Sequence, residues 1–136
     1  MQSPKGRILC TEEHADARDM LLCILESAGY HVTVTGNSAH AFAISKREAF
    51  DLIVVDSWMP GLSGTELTTE IRKFNQSTPI LFYSGAAYEA DKQNARDAGA
   101  QGYLVKPEGV SVLLVEVAKL IAEAKIAFPI AVDLPE

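Results

Sequence analysis

Cysteine is scarce in this sequence: only Cys10 and Cys23 occur. Two are too few for a disulfide scaffold, so both are expected to be reduced, buried small hydrophobes. Histidine is scarce too, and His14, His31 and His40 are scattered. None stands at ligand spacing from a cysteine or another histidine, which removes a thiolate–imidazole metal site. Only His14, beside two acids, is of chemical interest. No run of about 18 apolar residues is present, so no membrane span is expected. The first residues, Met1 to Arg7, lack the apolar core of a signal segment, and a cytoplasmic setting is expected. Positive charge is in deficit, with 12 Lys and Arg against 18 Asp and Glu and a net charge of −6. That argues against a nucleic-acid-binding surface, which needs clustered cations. Repeats, low-complexity tracts and interdomain linkers are all missing. What remains is 136 residues, 48% hydrophobic and 22% charged: enough for one domain with a real core.

The stretch from Asp51 to Gly64 organises the chain. It opens with Leu52-Ile-Val-Val55, too short for a helix and rich in β-branched residues, which reads as a strand buried on both faces. It stops on a carboxylate, Asp56, before a loop with Pro60, Gly61 and Gly64. Similar apolar runs occur at Ile8–Cys10, Val32–Val34, Ile80–Tyr83 and Tyr103–Val105. Segments with helical spacing separate them. In the first, Met20, Leu21, Ile24, Leu25 and Ala28 share a face, with Gly29 as the stop signal. In the second, Asn37 or Ser38 caps a helix burying Ala39, Phe42 and Ala43. In the third, Ser63 caps a helix with Leu67, Ile71 and Phe74 inward. A polar fourth helix runs from Tyr88 to Ala98, ending at Gly99, and a fifth spans about Val110 to Ala127. Alternating strands and helices predict βαβ units, a parallel sheet with helices on both faces. The domain is assigned to residues 1–127, and the tail 128–136, with Pro129 and Pro135, is expected to be irregular or packed on the last helix.

In such a sheet the strands' carboxyl ends share one edge. That edge collects Glu12 and Glu13, Asp56, Ser84 and Lys106. Converging carboxylates need a cation among them, and oxygen-only ligands favour Mg²⁺. A lysine opposite supplies charge for an incoming anion, and a hydroxyl supplies a directional hydrogen bond. Carboxylate, Mg²⁺ and lysine together suit phosphoryl transfer onto the carboxylate.

These residues resemble the receiver domain of two-component response regulators from roughly Lys5 to Ala127. The carrying motifs are Glu12-Glu13 followed by Arg18, Asp56-Ser-Trp-Met-Pro60-Gly-Leu-Ser-Gly64, Pro79-Ile-Leu-Phe-Tyr-Ser84-Gly-Ala, and Gly99-Ala-Gln-Gly-Tyr103-Leu-Val-Lys106-Pro107. The resemblance implies a flavodoxin-like, doubly wound fold: five parallel strands in the order 2-1-3-4-5, with five helices. It implies that Asp56 accepts a phosphoryl group from a histidine kinase or phosphotransfer protein. Lys106 would pair with the phosphoryl oxygens, Ser84 would hydrogen-bond one of them, and Tyr103 would turn as the switch residue. Glu12, Glu13, Asp56 and the Trp58 carbonyl would hold Mg²⁺, and the Lys106–Pro107 peptide would be cis. Trp58 would slow dephosphorylation. Such a domain is a signalling component, not an enzyme, although it takes part in its own phosphoryl transfer and dephosphorylation.

The family usually carries two aspartates where this chain has Glu12 and Glu13. Each glutamate adds a methylene and rotamer freedom at a site where Mg²⁺ wants near-ideal geometry. The alternative reading is therefore a degenerate receiver, a phosphorylation-independent interaction module. A phosphatase of the aspartyl-phosphate type would want an acid two residues after Asp56, where Trp58 stands. The fifth helix is apolar over most of its circumference. Val112, Val115, Ala122 and Ile126 lie outside its sheet-facing stripe, and the tail or a second subunit is expected to cover them. A homodimer through the fourth helix, fifth strand and fifth helix is the favoured expectation.

Overall fold

The computed structural model describes residues 4–127. In this span strands β1 (Arg7–Thr11), β2 (His31–Thr35), β3 (Leu52–Val55), β4 (Ile80–Ser84) and β5 (Gly102–Val105) alternate with helices. The helices are α1 (Ala15–Ser27), α2 (Ser38–Arg47), α3 (Gly64–Arg72), α4 (Glu89–Ala98) and α5 (Val110–Ala127). Every strand pair is parallel, in the order β2-β1-β3-β4-β5. This is the doubly wound, flavodoxin-like sheet expected from the sequence.

The period of two along a strand divides the core into two layers. Ile8, Cys10, Leu52, Val54 and Leu81 face one side, against Leu21 and Leu25 of α1 and Leu113, Val117, Leu120 and Ile121 of α5. Leu9, Ile53, Val55, Ile80 and Phe82 face the other, against Ala41 and Ile44 of α2, Leu67 and Ile71 of α3 and Ala95 of α4. β3 lies in the middle, and all of its side chains are buried. That is why it reads as an unbroken apolar run and why the residue after it leaves the core at the centre of the edge.

Local chemistry fixes the element ends. Ser63 and Glu66 form a reciprocal capping box at the start of α3. The Asn37 side chain accepts the His40 N–H at 3.1 Å at the start of α2. Gly99 closes α4 at φ 120°. Gly64 is required for another reason: a Cβ there would stand 2.6 Å from the Asp56 carbonyl and 2.9 Å from the Phe82 ring.

Three expectations about faces need correction. In α2 the buried residues are Ser38, Ala41, Ile44 and Ser45, while Ala39 and Ala43 are exposed and Phe42 is half-buried. Burial of Ser38 rotates the helix, because its hydroxyl donates to the Pro60 carbonyl at 2.9 Å. Met20 is exposed; α1 instead commits Leu21 and Leu25 to the core. Phe74 lies beyond the end of α3, partly exposed and edge-on to Phe42 at 5.7 Å between centroids. On α5, Val112, Val115 and Ile126 are exposed. The expected packing of residues 128–136 falls outside the described residues. No helix among the described residues is long and apolar enough to cross a membrane.

Candidate functional site at the carboxyl edge of the sheet

Asp56 leaves β3 with its backbone clamped to the neighbouring strand. The Thr11 hydroxyl donates to the Val54 carbonyl at 3.3 Å and accepts the Asp56 N–H at 3.1 Å. The carboxylate is almost buried, at 7% relative exposure. Its Oδ1 accepts the Trp58 N–H at 3.4 Å, and its Oδ2 stands 3.4 Å from Lys106 Nζ. Lys106 follows β5 and donates its backbone N–H to the Ser84 carbonyl at 2.8 Å. The Lys106–Pro107 peptide is cis, as expected.

Glu12 holds the other side of the lysine. Its Oε1 accepts from Lys106 Nζ and its Oε2 accepts the His14 N–H at 3.0 Å. It is 1% exposed. Arg18 of α1 bends back and donates Nη1 to the Glu12 and Glu13 carbonyls at 2.9 and 2.7 Å. This role escaped the sequence because main-chain carbonyls leave no signature in it.

Ser84 is wholly buried, and its Oγ accepts the Ala86 N–H at 3.1 Å. The Tyr103 hydroxyl donates to the Ala86 carbonyl at 2.6 Å, with its ring stacked on Phe82. Ser84 and Tyr103 therefore grip the two sides of one residue. Trp58 is 63% exposed, and its ring overhangs Gly85, where a Cβ would lie 3.8 Å from Cζ3.

The edge thus brings Asp56, Lys106, Ser84 and Glu12 together, but not Glu13. Glu13 is exposed and lines an open cleft with Ser57, Trp58, Met59, Pro60 and Gly61. Among the described residues no three His, Cys, Asp or Glu side chains are grouped as metal ligands. The expected cage of three carboxylates is therefore not assembled, because Glu12 has both oxygens engaged. The remaining donors still fit a hard cation. Glu13 and Trp58 line one cleft, and Mg²⁺ is commonly held by one or two carboxylates with retained water.

Electrostatics separates the two buried acids. Burial pushes the Glu12 carboxyl up, but the hydrogen bonds from Lys106 and His14 outweigh it, and Glu12 titrates below its ordinary value. Burial also pushes Asp56 up; the charge of Lys106 opposes, the charge of Glu12 adds, and the net direction is upward. Burial lowers Lys106, yet its hydrogen bond to Glu12 and the charge of Asp56 leave it raised. The shifts of Lys106 and Asp56 do not mirror each other, since the lysine's charge is spent chiefly on Glu12.

Comparison with known proteins agrees with this geometry. The family model described as the response regulator receiver domain matches residues 8–118. The chain is 36% identical over 121 residues to the response regulator receiver protein CpdR of Brucella abortus, covering 87% of this chain and 98% of CpdR. It is 34% identical over 110 residues to the transcriptional activator protein PfeR of Pseudomonas aeruginosa, covering 81% of this chain. It spans only 36% of PfeR. Among solved structures, it superposes with a TM-score of 0.81 and 28% identity on the receiver domain of the sensor histidine kinase PA1611 from Pseudomonas aeruginosa PAO1. That match covers 86% of this chain and 98% of the other, whose active-site cleft holds a coordinated magnesium ion.

Proposed function

The chain belongs to the response regulator receiver family, and on that premise we propose that it is a phosphorylation-controlled switch with Asp56 as phosphoacceptor. The observation carrying this reading is the approach of Lys106 to within 3.4 Å of the nearly buried Asp56 carboxylate; Ser84 ends the adjacent strand β4 at the same edge. The donor is a phosphohistidine of a histidine kinase or phosphotransfer protein. An Asp56 carboxylate oxygen attacks phosphorus, the P–N bond breaks, and its electron pair returns to the imidazole. Lys106 neutralises a phosphoryl oxygen, and such transfer consists mainly of positioning and charge neutralisation. Glu13, Asp56 and the Trp58 carbonyl would hold Mg²⁺, which would supply further neutralisation.

The readout follows from Ala86. Ser84 has an O–H free to donate while its Oγ accepts from Ala86. When Ser84 turns to a phosphoryl oxygen, the Ala86 N–H loses its acceptor. The carbonyl that Tyr103 holds then shifts, and Tyr103 repacks against Phe82. The surface of α4 and β5 changes with it. Trp58, overhanging Gly85, limits the water that hydrolyses the acyl phosphate, so the domain shares in setting its own dephosphorylation rate. Incubation with Mg²⁺ and labelled acetyl phosphate tests the reading. Base-labile label in the wild type and none in Asp56→Asn is expected; an unlabelled wild type sinks it. One observation favours a second reading, a receiver that no longer cycles phosphate: Lys106 is already occupied by Glu12.

Self-association belongs to the same proposal, through α4, β5 and α5, where Val112 and Val115 are exposed. Light scattering at high micromolar concentration should give a dimer mass; a monomer counts against it.

A further inference from the structure

We propose that Glu12 is a positioning residue that latches Lys106 in the resting state and competes with the phosphoryl group for it, instead of acting as a metal ligand. This rests on Asp56 as phosphoacceptor and concerns the regulation of that same site.

Two adjacent, chemically identical residues occupy opposite environments. Glu13 is open to water and lines the Trp58 cleft. Glu12 is sealed at 1% exposure, and each of its oxygens has a partner, Lys106 on Oε1 and the His14 N–H on Oε2. The turn beneath it is fixed, because Arg18 Nη1 holds the carbonyls of both glutamates. A Cβ at Gly36 would meet that Arg18 nitrogen at 2.3 Å, so the guanidinium lies directly against Gly36. Relative to aspartate, the glutamate side chain carries one more carbon, about 1.5 Å of reach. With that reach the carboxylate meets the ammonium directly, while Asp56 stands at 3.4 Å. The Tyr83 ring, its centroid 5.4 Å from Nζ, backs the lysine on a further side.

A phosphoryl oxygen on Asp56 must therefore draw Lys106 from a partner that has nowhere to go. Releasing the lysine leaves Glu12 buried with one hydrogen bond, and an ionised group stripped of its counter-charge inside a protein is costly. The latch opposes the phosphorylated state and raises the donor strength needed to reach it. Shortening or neutralising Glu12 lifts the opposition.

The test titrates beryllofluoride, a phosphoryl mimic, into the full chain at saturating Mg²⁺ and follows Trp58 fluorescence. The latch predicts that Glu12→Gln tightens beryllofluoride binding by about tenfold, the worth of a hydrogen bond to a charged group. Glu12→Asp keeps the charge but withdraws it from Lys106, and should tighten binding by a smaller factor. Titration with Mg²⁺ alone should leave Glu12→Gln close to wild type and weaken Glu13→Gln severalfold. Wild-type binding with unchanged or weaker binding in Glu12→Gln overturns the latch alone. So does tightening in Glu12→Gln with Glu12→Asp at wild-type affinity, which assigns the effect to net charge. If the wild type is silent, a response gained in Glu12→Gln supports the latch. Silence in both overturns the latch and the phosphoacceptor reading together.

Discussion

The two edges of the sheet are built on opposite principles. At the amino edge several charged groups have settled partners. Arg7 pairs with Glu48 at 2.7 Å, and its backbone N–H is taken by the Asp51 carboxylate at 2.8 Å. Arg72 donates twice to the Gly99 carbonyl, once to the Asn75 carbonyl and once to the Gln101 side chain. The same Gln101 Oε1 in turn accepts the backbone N–H of Ile80. At the carboxyl edge two buried carboxylates, Glu12 and Asp56, share one ammonium, Lys106. Burial, with the charge of Glu12 added, raises Asp56 above its ordinary value despite Lys106. One edge holds the fold together; the other holds a charge imbalance that a cation can resolve and that a phosphoryl group would deepen.

Replacing the central acid gives the largest contrast. Asp56→Asn should abolish acyl-phosphate formation and yet make the resting fold more stable. The sign follows from the raised pKa, caused first by burial. The folded chain holds the Asp56 proton more tightly than the unfolded chain does. The stabilising contribution is therefore present below the ordinary aspartate value of about 4 and lost as pH climbs through the folded-state value. At pH 7 ionised Asp56 costs stability, so Asp56→Asn should raise the urea midpoint there. Below the unfolded aspartate value the gain should vanish. A lower midpoint at pH 7 would erase the proposed difference between the edges.

Breaking the amino edge should do the reverse. Arg72→Met strips four hydrogen bonds, three of them partly buried, and should lower stability by about 1–3 kcal/mol in urea denaturation. The rate of labelling by acetyl phosphate should stay at the wild-type level. A large loss of labelling in a folded Arg72→Met protein would show that the amino edge reaches into the chemistry. Trp58→Asn should have the smallest effect, shortening the acyl-phosphate lifetime severalfold with little change in the urea midpoint. An unaltered decay rate would remove Trp58 from any role in shielding.

Most of the frame was legible in the sequence because burial on both faces leaves uninterrupted runs such as Leu52–Val55, and because Ser63 starts a helix and Gly29 and Gly99 end helices in chemically obvious ways. The face of α2 was not legible. Each of its alternative stripes mixes small residues with one large apolar side chain, Phe42 or Ile44, and the deciding contact, Ser38 to the Pro60 carbonyl, lies far along the chain. Asp56, Ser84 and Lys106 could be placed because each terminates or follows a strand of the same parallel sheet. The unlike placement of Glu12 and Glu13 could not. Neighbouring identical residues have no distinguishing pattern, and only the Arg18 contacts and the approach of Lys106 separate them.

The site of modification tests the central claim most directly. The chain is treated with acetyl phosphate and Mg²⁺, reduced with borohydride, digested and sequenced by mass spectrometry. Reduction converts a phosphorylated aspartate to homoserine. The expected product carries homoserine at position 56 and an unmodified aspartate at position 51, five residues away at the opposite edge of the same strand. Homoserine at any other position, or none at position 56, would contradict the assignment of Asp56 as the phosphoacceptor.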